Sequence, residues 1–518
     1  MQYDIILVTG EYYADHPLSP AGVIVKVLRD KGFKVGIIEK PDWKSAEDFL
    51  KLGKPKLCFG VTSGSIDSML LNYTPLKRLR KDDKHNPYDS KIPDRAVINY
   101  CNKLKQLFKG SKIVIGGIEA SMRRFAHYDY WDNKLRRSIL FDSRADILVY
   151  GNGEWQIVEI AKRLQEDKSL EGIEGTCIIS KELPKNFKEI PSFDEVIKDK
   201  KVFCKMQLMF SNNKSLAQKT GDRYLLQNKM HDYTTEELDY VYGLDYSRMI
   251  PLKFRELRMA QFSVVTHRGC IGGCNFCSIS LHQGDRVISR SEKSILDEVK
   301  RLTKHKQFKG FVDDLGGPSA NMYGMDCVKC VSGKCMVCNK LDKSHSRLVS
   351  LLRKVRKVQG VEKVFVRSGI RYDLAVESEE YVKELSHHIS GCLKVAPEHF
   401  SDNVLKLMNK KNSKLYEFTK LFEKHNKDYS LKYYLMTGHP GSTLREVGDL
   451  ARMMAKLGDI ESIQLFTPTP MTVSTCMYYT GLNPYTLEKV YVPYTYNEKK
   501  KQKALLYKWG NDDYKKKL

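Results

Sequence analysis

Cys270, Cys274 and Cys277 stand with three and then two residues between them, in the run Thr266-His267-Arg268-Gly269-Cys270-Ile271-Gly272-Gly273-Cys274-Asn275-Phe276-Cys277. A loop of that spacing can set three thiolates on three corners of a [4Fe-4S] cube and leave the fourth iron without a protein ligand. Gly269, Gly272 and Gly273 let the backbone turn tightly against the inorganic sulfides. A zinc loop is the competing reading, but structural zinc takes four protein ligands. A second group, Cys327, Cys330, Cys335 and Cys338, forms two CxxC pairs separated by Val331 to Lys334. Four thiolates so close can saturate a tetrahedral zinc or hold an auxiliary iron-sulfur cluster; the compact pairs favour a structural zinc knuckle. The other six cysteines, Cys58, Cys101, Cys177, Cys204, Cys392 and Cys476, sit singly and read as structural thiols.

The elements that must position these residues follow from hydrophobic patterning. From Ala260 onward six apolar runs recur at long intervals: 262–266, 310–315, 364–367, 392–395, 433–436 and 462–466. Helical segments separate them, for example 294–302, 347–358, 378–387 and 444–457. Six βα units predict a partial TIM-like (β/α)6 barrel, with its chemistry at the carboxyl ends of the strands. The first part of the chain alternates buried-strand runs (5–8, 35–38, 57–61, 113–117, 147–151) with amphipathic stretches, which predicts a doubly wound α/β sheet. The expected organisation is an α/β Rossmann-like domain over 1–180, a connector over 181–255, the barrel over 256–485 with its Cys-rich insertion at 327–338, and a basic tail over 486–518.

The chain resembles the radical S-adenosylmethionine (SAM) superfamily through its Cys-x3-Cys-x2-Cys loop, and more narrowly the YgiQ-type family. The narrower resemblance rests on His267-Arg268-Gly269-Cys270, Phe276-Cys277-Ser278-Ile279, Ser289-Arg290-Ser291, Asp314 to Tyr323, Ser368 to Leu374, Leu393 to His399 and His439-Pro440-Gly441. It implies that SAM chelates the open iron and that one electron splits its sulfonium; the cofactors break the bond while the protein positions them. By position, Gly316 and Gly317 resemble the turn that receives the SAM amino group. Arg290 and Ser291 are candidates for the SAM carboxylate, since arginine offers a bidentate fork. Arg367, Ser368 and Glu398 are candidates for ribose or carboxylate, and each of these single residues, Arg290 and Ser291 included, has a structural role such as a barrel-end salt bridge as the alternative. An electron donor such as flavodoxin or ferredoxin is implied as a partner. The amino-terminal domain is similar to cobalamin-binding-like domains, but Asp15-His16-Pro17 lacks their Asp-x-His-x-x-Gly string, so cobalamin is not supported on these residues. His399 and His439 are candidate proton donors or substrate ligands, and Phe466 to Thr472 with Met477-Tyr478-Tyr479 are candidates to close the barrel mouth.

Bulk properties set the boundaries of this reading. With 518 residues the chain needs more than one core. No apolar run approaches the roughly 20 residues of a membrane helix, and the start passes directly into a strand-like run, so a cytoplasmic protein without membrane attachment is expected. The net charge of +24 would assist contact with a polyanion. A nucleic-acid-binding protein with structural metal centres is therefore the alternative function, and an RNA-modifying radical enzyme would join the two.

Overall fold

The computed structural model describes residues 2–80, 92–327, 335–410, 413–457 and 460–510. They fall into two compact units: residues 1–232 with 244–261 and 469–476, and residues 233–243 with 262–468 and 477–518.

The first unit is built on nine strands: β1 (Ile5–Thr9), β2 (Val35–Glu39), β3 (Cys58–Thr62), β4 (Lys112–Ile115), β5 (Ile147–Val149), β6 (Thr176–Ser180), β7 (Lys188–Ile190), β8 (Leu216–Thr220) and β9 (Arg223–Gln227), in the order β2-β1-β3-β4-β5-β6-β9-β8-β7. β1, β3 and β5 are buried along their whole length, as parallel strands covered on both faces must be. The first five strands are parallel, and their order reverses between β1 and β3, so right-handed crossovers send helices to opposite faces. The helix Pro20–Asp30 begins on Ser19, whose hydroxyl accepts the Gly22 N–H, with proline in its first turn.

The segment expected as a connector departs from that expectation. β6 to β9 extend the sheet by mixed pairing: β6 runs antiparallel to β5, β9 to β6 and β8 to β9, while β7 is parallel to β8. The α/β domain therefore continues through Gln227. The edge strand β7, Lys-Glu-Ile, exposes two of its three residues, a polar edge that gives little hydrophobic signal.

In the second unit the six expected strands appear in order, parallel and separated by helices. Val264–Val265 pairs with Leu315–Gly316, and Phe311–Val312 with Lys363–Val364. Cys392–Glu398, Ser430–Thr437 and Ile460–Leu465 form a three-stranded parallel set, joined to the earlier strands by the Ile370 to Val395 bridge. The helices Glu292–Leu302, Ser346–Arg356, Glu379–Glu384 and Leu415–His425 bury Ile295, Val299, Leu348, Leu352, Val382, Phe418 and Phe422 against Val264, Val312, Val364, Leu393 and Tyr433. Each such side chain contributes roughly 1.5–3 kcal/mol on burial.

The basic tail is also corrected. The helix Tyr496–Gly510 packs against the helix Leu444–Leu457. Lys499, Gln502 and Leu506 form one buried stripe at helical spacing. The Gln502 amide oxygen lies 2.9 Å from Thr437 Oγ1 and accepts the Gly438 N–H, while its nitrogen donates to the Ser442 carbonyl. The tail thus seals the carboxyl end of the fifth strand.

Candidate active site at the barrel mouth

The cysteine loop leaves the first barrel strand through a hairpin-like pairing of His267–Arg268 with Ile288–Ser289. Gly269 has φ +80°, and a β-carbon there would come within 1.7 Å of the Arg286 carbonyl oxygen; no other residue type can close this turn. The loop is pinned from below by the helix Asp402–Met408 and the residue after it. Asn275 donates from its backbone to the Met408 carbonyl and from its side chain to Leu407, and Asn409 donates to the Gly273 carbonyl at 2.8 Å.

Cys270, Cys274 and Cys277 are all partly exposed, and their charges act on one another. Burial raises the Cys270 thiol pKa, with Cys274 adding to the rise while the Gly272 N–H, Arg371 and Lys410 oppose it. Burial pushes Cys277 up to about 12. Such thiols become thiolates readily only against positive charge, and Arg371 supplies it. Its Nη1 donates to Cys274 Sγ at 3.4 Å, and its other face grips Asp373 bidentately at 2.9 and 2.6 Å. Asn321 fixes the Arg371 backbone from both sides, accepting its N–H at 2.8 Å and donating to its carbonyl at 3.0 Å. Burial alone would lower the guanidinium pKa, but Asp373 and then Cys274 hold it above its usual value.

Glu398 closes another side. It adopts φ +67°, a left-handed conformation that a residue other than glycine holds only when its surroundings enforce it. Its carboxylate lies 3.3 Å from Lys410 Nζ. Burial raises its pKa, while Lys410 and Arg371 oppose the rise.

Of the residues singled out for SAM, four gather at the ends of the second and third strands. Gly316 pairs with Val265, and a β-carbon on it would sit 3.5 Å from Ser368 Cβ. A β-carbon on Gly317 would lie 2.6 Å from the His267 ring, so this turn is packed directly on the loop's own histidine. Ser368 donates its hydroxyl to Asp314, which also accepts the Arg367 and Ser368 N–H groups. Arg367 is exposed, with its guanidinium over Phe365. Glu398 stands apart from these four, against the cysteine loop.

Arg290 and Ser291 are placed otherwise. The Arg290 guanidinium is wholly buried, ion-paired with Glu298, donating to the Val265 carbonyl at 2.7 Å and to Ser294 at 2.8 Å, and lying over the Tyr242 ring. Ser291 caps the helix Glu292–Leu302. Both hold the first βα unit together. His439 is fully buried, with its Nδ1 2.8 Å from the Pro440 carbonyl and its ring against Phe276 of the cysteine loop at 6.4 Å and Phe466 at 5.0 Å. His399 is buried beside it and accepts the Ser401 N–H. Of Phe466 to Thr472, expected at the barrel mouth, Thr469 to Thr472 belong to the amino-terminal unit, where the Met471 carbonyl accepts from Gln207 at 2.7 Å.

Cys327, Cys335 and Cys338 pack, with Cys270, against the small core of Ile271, Met322, Met325, Leu341 and Leu374; Cys330 lies outside the described residues. Among the described residues no three His, Cys, Asp or Glu side chains gather closely enough to share one ion. The first loop passes a different test: a four-iron cube takes one thiolate at each corner and needs its cysteines spread around it. Three thiols on one glycine turn, with a guanidinium against one of them, fit such a cluster.

Comparison with known proteins decides the family. A radical SAM amino-terminal model matches residues 1–267, the radical SAM superfamily model residues 264–454, and a domain of unknown function, DUF3362, residues 461–516. A UPF0313 protein of Clostridium botulinum is 46% identical over 99% of this chain and 85% of its own length. The chain belongs to the UPF0313 family of radical SAM proteins. Its fold is shared with the radical SAM methyltransferase TsrM of Kitasatospora setae, solved with cobalamin and a [4Fe-4S] cluster bound (TM-score 0.53, 17% identity, 91% of this chain and 77% of that one). The cobalamin-dependent radical enzyme OxsB, solved with aqua-cobalamin and SAM, has a TM-score of 0.51 at 13% identity, over 93% of this chain and 55% of that one. These likenesses confirm an amino-terminal mixed sheet of the cobalamin-binding-like type followed by the radical SAM domain. They also remove the ground for setting cobalamin aside. In this UPF0313 protein His16 is itself committed, with Nε2 2.8 Å from the Gln261 carbonyl and Nδ1 accepting the Leu18 N–H. Among the described residues no helix is long and apolar enough to cross a membrane.

Proposed function

We propose that this UPF0313 protein is a radical enzyme that holds a [4Fe-4S] cluster on Cys270, Cys274 and Cys277 and reductively cleaves SAM to act on a further substrate. The observation that carries the reading is the Arg371 to Cys274 contact: a partly buried cation, aimed by Asp373, is directed at a thiol of a three-cysteine loop. When bound, the cluster and SAM supply the electron and the sulfonium bond that breaks. The chain's own residues do the rest. Arg371 directs a guanidinium N–H at Cys274 Sγ, Asn321 and Asp373 fix its direction, and the Asn275 and Asn409 contacts keep the loop on its helix. Lys410 offsets the charge of Glu398 beside Cys277, so the pocket does not add an uncompensated anion to three thiolates. The Asp314 grip on Ser368 fixes the turn facing Gly316, whose carbonyl accepts the Thr266 N–H, so the next residue, Gly317, is the one whose backbone would meet a polar ligand. A one-electron carrier of the flavodoxin or ferredoxin class would serve as the donor. The test is anaerobic reconstitution with iron and sulfide, then dithionite and SAM: 5'-deoxyadenosine should accumulate with wild-type protein and not with Cys274→Ser.

A cobalamin role for the amino-terminal unit is the second reading, favoured by the shared fold. With His16 engaged by the Gln261 carbonyl and the Leu18 N–H, that histidine would not be the residue that holds cobalamin. Reconstitution with hydroxocobalamin followed by gel filtration and absorbance spectroscopy tests it: a co-eluting corrinoid band supports it, and a colourless protein rejects it.

A further inference from the structure

We infer that residues 481–503 form a docking platform for single-stranded nucleic acid beside the barrel mouth. This rests on the radical-enzyme reading only in naming its substrate class; the binding itself stands on separate observations. Tyr485, Tyr491, Tyr494 and Tyr496 are 61%, 40%, 51% and 38% exposed. A single exposed aromatic means little, but these four fall within twelve residues. From Tyr485 to Lys503 there are five lysines and two glutamates, and both acids are engaged internally. Glu498 accepts from Thr495 and Tyr491, and Glu488 accepts the Thr486 hydroxyl. Lys489, Lys500 and Lys501 remain at the surface.

The platform is held in place by its own frame. The Val490 N–H donates to the Gly481 carbonyl and the Asn483 N–H to the Glu488 carbonyl, both at 2.8 Å, and the Gly441 N–H donates to the Tyr491 carbonyl at 2.7 Å. Gly441 follows the fifth barrel strand in the same turn as His439, whose ring lies against Phe276 of the cysteine loop. The exposed rings are thus rooted at the end of the barrel where the cysteines sit. A partner that uses the whole surface must carry both repeating negative charge and flat faces. Phosphates meet the lysines with counterion release, and unpaired bases stack on tyrosines in a sequence-tolerant way. An acidic protein would use the lysines and leave the rings without purpose.

The test is fluorescence anisotropy of the full chain with labelled single strands of about 15 nucleotides, ribo and deoxyribo, and with labelled heparin as a polyanion without bases. The Tyr485→Ala, Tyr491→Ala double variant should weaken oligonucleotide binding by about tenfold or more and leave heparin binding unchanged; Tyr→Phe at both positions should restore it. Lys500→Ala with Lys501→Ala should weaken both ligands and flatten the salt dependence. Preference for the ribo or the deoxyribo strand assigns the platform to RNA or to DNA. Tyrosine variants that bind oligonucleotide as well as wild type, or that lose heparin equally, overturn the platform. SAM cleavage without nucleic acid is measured in parallel: its loss with binding intact counts against the radical reading alone, and lost binding with cleavage intact counts against the platform alone.

Discussion

Arg290, wholly buried, and Arg371, partly so, are the same residue type and each is paired with a carboxylate, yet they serve different ends. The Arg290 guanidinium is turned to the scaffold: Glu298, Ser294, the Val265 carbonyl and the face of Tyr242. Arg371 spends two nitrogens on Asp373 and turns the third to a cysteine sulfur. A carboxylate is a complete partner for an arginine, whereas a neutral thiol is a poor acceptor. An arginine whose third nitrogen faces a cysteine sulfur therefore has a contact that serves the cysteine loop rather than the scaffold. Burial and ion pairing alone do not separate a functional arginine from a structural one; the third partner does.

That contrast can be broken in several ways. Cys274→Ser should have the largest effect, removing both the iron held by the first loop and all SAM cleavage, as read by elemental analysis and deoxyadenosine yield. Arg290→Ala should come next, because Glu298 would be left buried without its partner; a loss of about 3–5 kcal/mol is expected, read as a lower urea midpoint. Arg371→Gln should leave the chain folded but lower iron retention and SAM cleavage by about 10–100-fold. A urea midpoint lowered as far as in Arg290→Ala would erase the distinction between the two arginines.

A pH dependence of stability is also set by buried histidines. Burial lowers His345 and His127 to about 4, whereas in the unfolded chain they take a proton near 6.5. The unfolded state binds more protons between those values, so stability is full above about pH 6.5 and falls as the pH drops toward 4. Urea titrations across that range should show the decline, and a midpoint flat between pH 7 and 4 would contradict it.

Much of the scaffold was legible in the sequence because its signals are local. The apolar runs at 262–266, 310–315 and 392–395 become parallel strands, and the glycine-rich cysteine loop lies where the first strand ends. Long-range pairing was not legible. Asn321 clamps Arg371 across 50 positions, and nothing local in Arg371-Tyr372-Asp373 says that the guanidinium reaches Cys274, although an arginine two residues before an aspartate was a visible signal of an aimed cation. Lys410 carried no signal at all. Arg290 stayed open between two roles because its fork suits a ligand carboxylate as well as it suits Glu298. The strands within 188–227 escaped because an edge strand such as Lys188–Ile190 has no apolar alternation. The carboxyl-terminal helix escaped because its buried residues among those described, Lys499, Gln502 and Leu506, make a stripe too narrow and too polar to stand out from a lysine-rich run.

The most direct measurement is electron paramagnetic resonance of the anaerobically reconstituted, dithionite-reduced protein with and without SAM. If the first loop leaves one iron open to SAM, a reduced [4Fe-4S] signal should appear, change shape when SAM is added, and be absent from that site in Cys274→Ser. A signal that is identical with and without SAM, or that survives unchanged in Cys274→Ser, would contradict it.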